Sequence, residues 1–500
     1  MGGREVKCAS GGSTPLRRLA SLSVALGLAM GAGALGGQQP AAPAAKKPSA
    51  ASPQKPPAAS PQKPRSGAQV QAGTSTGVDT DTRLMNMLAD HEFTRLEGEL
   101  DALPPWQAQY YHGVLANRNH DEKKSIELLE PLVESIAATG NVLREKVLRR
   151  ALAEDYLRLG NWAKAAEQYD AIEKRLGSKL SSDEQDELEM AVKMVPLARD
   201  HPPMTVETGA PFVVSVSKNP LGLTDVPVFV DAHPQDWMFD PTLPFNLISR
   251  SHARDAGLKV SDESVVIHTL RGRTIKVHAT LVPRLTIGGQ LTLRNMTAYV
   301  FEDKDYYFPQ TKYQVGGALG YSAVEAMGSV TITDSNRLYM DMDKQESAVE
   351  RNDKVAGGVR FFLDGDQVIL ALGGSNEFGP GRGNERMYAI DAGGQQTYLT
   401  SRFYDEHTND FTGLKMELFT LLGLPNMTPV PSYTAETVPL AVGKTTIQFH
   451  FMPVLTQPIG AAAVDDVYGV LGVDALDQLG SYTFDYRTMT FSIRLSEARD

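Results

Sequence analysis

The sequence holds one cysteine, Cys8, ahead of an apolar run, so the chain offers no intrachain disulfide, no cysteine-based metal site and no thiol nucleophile. Basic charge is also short: 49 Lys and Arg face 60 Asp and Glu, a formal net charge of −11. Phosphate backbones need clustered cations that this balance does not supply, which excludes a general affinity for nucleic acid. His233, His252, His268 and His278 are scattered over different predicted strands and turns, without metal-ligand spacing. The glycine-rich stretch 373–383 leads into a strand and not into a helix N-terminus, so it reads as a loop and not as a phosphate cradle. No metal and no cofactor is expected.

What is present changes character along the chain. Arg17 and Arg18 precede an apolar run from Leu19 to Leu35 that ends in small residues, the pattern of an export signal or an uncleaved N-terminal anchor over 1–37. The protein is therefore expected to be exported, periplasmic or extracellular, and at a membrane only if that segment stays uncleaved. Residues 38–81 have almost no large apolar groups and repeat Ala-Ala-Ser-Pro-Gln-Lys-Pro, from Ala50 and again as Ala-Ala-Ser-Pro-Gln-Lys-Pro from Ala58. Such a stretch cannot offset its ordering entropy by burial and reads as a disordered tether. Residues 82–202 turn to helical periodicity. Within them, Ala151 to Tyr169, with Gly160 at a turn and small Ala165 and Ala166 beyond it, resembles a tetratricopeptide repeat, and Tyr110 to Leu129, turning at Asn119, is a looser copy. Two copies make a weak solenoid, so flanking helices or the next domain should support them. The unit reads either as a docking platform for a protein partner or as a spacer.

After Pro203 the texture becomes β, with short Val, Ile, Phe and Thr runs between Gly, Pro, Asn and Asp turns. The charged stretch 341–358 divides this region into two halves, 205–345 and 355–497, and the halves repeat each other. Trp237-Met-Phe-Asp240-Pro-Thr-Leu-Pro-Phe-Asn-Leu-Ile answers to Tyr388-Ala-Ile-Asp391-Ala-Gly-Gly-Gln-Gln-Thr-Tyr-Leu. Gly317-Ala-Leu-Gly320 answers to Gly469-Val-Leu-Gly472. Asp240 precedes Gly320 by 80 residues, and Asp391 precedes Gly472 by 81.

These words, with the closing strands from Ser329 and Ser481, resemble the signature of pepsin-like and retropepsin-like aspartic peptidases over about residues 205 to 497. The resemblance implies a multidomain chain: an all-β bilobal aspartic-peptidase-like domain preceded by a small all-α tetratricopeptide-like domain. It implies Asp240 and Asp391 as a catalytic pair sharing one proton, since adjacent carboxylates cannot both ionise cheaply. Thr242, Ala392 and Gly393 become loop support around them, and Gly320 and Gly472 mark the strands behind. Residues 265–277 become the flap, turning at Leu270, Arg271, Gly272 and Arg273. The substrate would be a peptide or unfolded protein.

Two departures bear on activity. Pro241 and Ala392 stand where the family has a hydroxyl residue, which predicts the loss of a brace between the lobes, with Thr242 able to supply a hydroxyl from the adjacent position. Thr242 also stands where the family has glycine, which predicts a first loop of different or distorted shape. Two functional classes follow: an aspartic-type endopeptidase, or a catalytically impaired module that binds peptides or a protein partner.

Overall fold

The computed structural model describes residues 77–199, 201–207, 212–268, 274–309, 311–340, 355–365, 367–374, 385–420, 429–443, 445–459 and 465–494. The export segment, most of the tether, the four flap-turn residues, most of the boundary stretch and most of the glycine-rich loop lie outside them. No helix among the described residues is long and apolar enough to cross a membrane.

Helices fill the chain from Gly77 to Arg199. Asn141 and Asn161 each accept a hydrogen bond from the backbone N–H three residues on, at 3.0 and 3.3 Å, and so cap the Val142–Arg158 and Trp162–Leu176 helices. The second of these buries Ala165, Tyr169, Ile172 and Leu176, a stripe at helical spacing. Gly160, at φ +69°, makes the turn between them, and a side chain there would also strike Pro203 at 2.7 Å. The helices do not close a core alone. Leu84, Leu88, Tyr110 and Leu129 share one cluster with Phe362, Ile369, Ala371 and Met387 of the second β lobe. Phe93 packs on Phe362 with ring centroids 4.9 Å apart.

Charge completes that junction. Asp364 meets His91 at 3.1 Å and Arg118 at 2.7 Å. Burial pushes the Asp364 carboxyl up, but the Arg118 guanidinium and His91 outweigh it and hold it well below the usual carboxylate range. Burial likewise pulls the His91 imidazole down, and the hydrogen bond to Asp364 with the nearby Asp466 carboxylate overcomes it, leaving the group above its ordinary value.

The β region forms two lobes around a shared sheet. In the first, Leu291–Phe301, Leu247–Ser249, Gly317–Leu319, His233–Phe239, Thr224–Val230 and Thr274–Ile287 lie side by side. Leu291–Phe301 pairs again with Thr274–Ile287, which curls the sheet toward closure. The order Leu291–Phe301, Leu247–Ser249, Gly317–Leu319, His233–Phe239 recurs in the second lobe as Thr445–Leu455, Tyr398–Leu399, Gly469–Leu471, Arg386–Ile390. Between the lobes, Phe212–Ser215, Arg337–Met340 and Ser329–Ile332 from one half continue into Ser481–Asp485, Thr490–Arg494 and Val355–Asp364 from the other. At the join, Ser329–Ile332 runs antiparallel to Ser481–Asp485, with Thr331 and Thr483 hydroxyls 2.7 Å apart. The repeat read in the sequence is therefore a repeat of topology.

Candidate active site

Each aspartate leaves the end of an apolar strand. Trp237, Met238 and Phe239 are all buried, as are Met387, Tyr388 and Ile390 before Asp391. Each strand then pairs in parallel with the returning strand behind it: Phe239 lies opposite Leu319, and Ile390 opposite Leu471. The loops close with matching bonds. Asp240 N donates to Leu319 O at 3.0 Å, and Asp391 N to Leu471 O at 2.9 Å. Leu243 N donates to Asp240 O at 3.2 Å, and Gly394 N to Asp391 O at 3.1 Å. Tyr321 N reaches Leu243 O at 2.7 Å, and Val473 N reaches Gly394 O at 2.7 Å.

This corrects the expectation of a distorted first loop. Neither Thr242 nor Gly393 has positive φ, so the loop uses no conformation that only glycine provides, and threonine fits it. The expected loss of the brace is corrected in part. The Thr242 hydroxyl donates to Asp240 Oδ1 at 2.6 Å and accepts from Ala392 N at 2.9 Å. One arm of a cross-lobe brace is therefore present, carried by a hydroxyl one residue later than the motif has it. The reverse arm has no parts: Pro241 lacks the N–H that would answer Ala392, and Gly393 lacks the hydroxyl that would answer Thr242. Tyr486, fully buried, braces the Pro241 carbonyl instead, donating at 2.5 Å.

Asp240 is 2% exposed and Asp391 8%. Asp240 Oδ1 accepts from Thr242 N, Thr242 Oγ1 and Leu243 N, at 3.0, 2.6 and 3.2 Å. Burial raises the Asp240 pKa, and these three donors oppose the rise without cancelling it. The Asp391 carboxyl lies over Gly394, where any added Cβ would sit 2.1 Å from Oδ2. Gly320 and Gly472 are needed for room: a Cβ on Gly320 would meet Phe245 O at 2.3 Å, and one on Gly472 the Gln396 carbonyl carbon at 2.7 Å. Both N–H groups are held by the residue six positions after the aspartate, Gly320 N by Asn246 Oδ1 at 2.9 Å and Gly472 N by Thr397 Oγ1 at 2.8 Å. Asn246, Thr397, Gly394 and Tyr486 were not singled out from the sequence. The shared offset of Asn246 and Thr397 was visible in the aligned halves, whereas Tyr486 lies in a different part of the chain.

The fold thus brings Thr242, Ala392, Gly393, Gly320 and Gly472 around the two aspartates. The strands Val260–His268 and Thr274–Ile287 form a hairpin, and its turn, where the flap tip was expected, lies outside the described residues. Among the described residues no three His, Cys, Asp or Glu side chains converge as a metal site.

Residues 226–323, a span holding Asp240 and Gly320, match the aspartyl protease family model. Among solved structures, the chain is similar to an aspartic proteinase from Irpex lacteus, at 11% identity and a TM-score of 0.36, over 58% of this chain and 98% of that one. No curated protein matches.

Proposed function

We propose that the chain is an exported aspartic-type endopeptidase in which Asp240 and Asp391 activate water. The observation that carries this reading is the Thr242 hydroxyl, which binds Asp240 on one side and the Asp391 loop on the other. In this reading the pair shares one proton, and burial favours the neutral form of Asp240. In that role Asp240 donates to the scissile carbonyl oxygen while ionised Asp391 takes a proton from water. The water oxygen bonds to the carbonyl carbon, and the C–N bond breaks as Asp391 passes its proton to the amine and one hydroxyl of the tetrahedral carbon returns a proton to Asp240. The substrate is an extended peptide or unfolded protein outside the cytoplasm, and the helical unit, with its tetratricopeptide-like pairs, is a platform for it or for a partner.

The one-armed brace favours a second reading, in which the module binds peptides without cutting them. Cleavage of denatured casein from pH 3 to 7 separates the two. Asp240→Asn and Asp391→Asn should each lower turnover by roughly 10²–10⁴-fold, and pepstatin should inhibit the parent. Peptide binding that survives in all three proteins with no turnover in any would establish the binding module. The same variants report on folding. A buried acid with a raised pKa stabilises the fold fully below about pH 3.9 and loses that contribution as pH rises through the raised value. Asp240→Asn should therefore melt above the parent at neutral pH, and an inactive variant that melts lower has lost more than its carboxylate.

A further inference from the structure

A cavity of about 620 Å³ has neither of the paired aspartates in its lining. It lies where the helical unit meets the first lobe, and its size suits a drug-sized molecule. Trp162, Ile172 and Leu188 wall it on the helical side, Phe245 and Tyr299 on the lobe side. Two of its walls belong to the machinery already described: Pro244, Phe245 and Asn246 follow the Asp240 loop directly, and Tyr321, Ser322 and Glu325 lie on the short helix after Gly320.

Its charged groups are nearly all answered. Lys146 meets Glu184, Arg150 meets Glu154 at 3.0 Å, His120 meets Glu122, and Arg158 lies 3.9 Å from both Glu122 and Asp155. Glu325 makes no ion pair among the described residues, and its Oε2 is buried without a hydrogen-bond partner. On the helical wall, Trp162 Nε1 is likewise buried and unanswered. A buried polar atom left without a partner destabilises the state that buries it. Both residues line the cavity, so a turn of either side chain toward it would let an occupant bring a donor to Glu325 and an acceptor to Trp162, while its body lay against the aromatic and aliphatic walls.

We propose that this cavity is a second binding site, for an amphipathic amine: an apolar body of one or two rings, one positive group paired with Glu325, and one acceptor for Trp162. Burial raises the Glu325 pKa, with His120 and Arg158 opposing and Glu122 adding to the rise, so the empty site favours the protonated acid and a bound cation displaces that proton. Occupancy bears on the first lobe through the Ser182–Arg199 helix. Met190 and Met194 of that helix line the cavity and also pack on the cluster holding Val265 and Ile267 of the flap hairpin. Lys193 Nζ donates to Ser264 O in the same strand at 3.1 Å. The inference stands whether or not the aspartates cut peptides.

Three probes decide it in the full chain: phenylalanine β-naphthylamide, its neutral N-acetyl form and its anionic N-succinyl form, titrated calorimetrically at neutral pH. The amine should bind saturably and at least tenfold more tightly than either derivative, and hydrogen exchange should slow in the Ser182–Arg199 helix. Glu325→Gln, which keeps the side chain's size, should erase the preference for the amine while leaving the N-acetyl form's affinity within about twofold. Equal binding of all three probes, a preference unchanged in Glu325→Gln, protection confined to other elements, or no binding by protein that melts normally would each overturn the assignment.

Discussion

At Thr242 one hydroxyl works in two directions, donating to Asp240 and accepting from Ala392. Removing it deprives the buried Ala392 N–H of its acceptor and leaves the Asp240 carboxyl held by two backbone donors alone. Thr242→Val keeps the shape and the β-branch, so it should cost about 1–3 kcal/mol of stability. It should cost turnover on the order of a hundredfold, the penalty for a reacting group misplaced by about 1 Å. Thr242→Ser restores the hydroxyl and should recover most of both. Urea unfolding beside initial rates checks this, and a valine variant as active as the parent would show that the brace is dispensable. The sequence offered Thr242 as a hydroxyl from the adjacent position, but its partner, the Ala392 N–H of the other half, is 150 residues away and only the fold brings it there. The aspartates themselves were legible, since two matched words at near-equal spacing from two matched glycines constrain the fold more than either word alone.

Among the elements, the junction of helices and second lobe rests on the buried set of His91, Arg118 and Asp364. Asp364, with its lowered pKa, contributes fully above about pH 3.9 and loses its contribution as pH falls through the lowered value. His91, with its raised pKa, contributes fully below about pH 6.5 and loses its contribution as pH rises through the raised value. The set is therefore complete between those limits and weakens first on the alkaline side. Asp364→Ala removes the nearest partner of both cations, leaving Arg118 to Glu154 at 3.4 Å and His91 to Asp466 at 3.6 Å, and should cost about 1–3 kcal/mol. His91→Gln should flatten the decline above pH 6.5. Guanidinium unfolding from pH 4 to 9 tests both, and an alkaline decline of equal slope in His91→Gln would place its origin elsewhere. The helices and their turns at Asn119 and Gly160 were readable from periodicity. Their seat was not, because Phe93 and Phe362 are far apart in the chain and nothing local to either marks the other. The cavity escaped the sequence for the same reason, as its walls come from distant segments that only tertiary packing joins.

For the molecule as a whole, the seam between halves is a continuous ladder in which each half supplies three strands. Lobes joined by backbone hydrogen bonds cannot swing apart as rigid bodies without tearing that ladder. The ladder also means that neither half is finished. A polypeptide of residues 205–340 would present Ser329–Ile332 as an open edge, and the partner nearest in shape is another copy of itself. Sedimentation of that fragment at tens of micromolar should give a dimer, and a stable monomer would mean that the edge is capped some other way. The duplicated chain has, in effect, turned an encounter between two molecules into a permanent attachment, so its assembly no longer depends on how dilute the protein becomes.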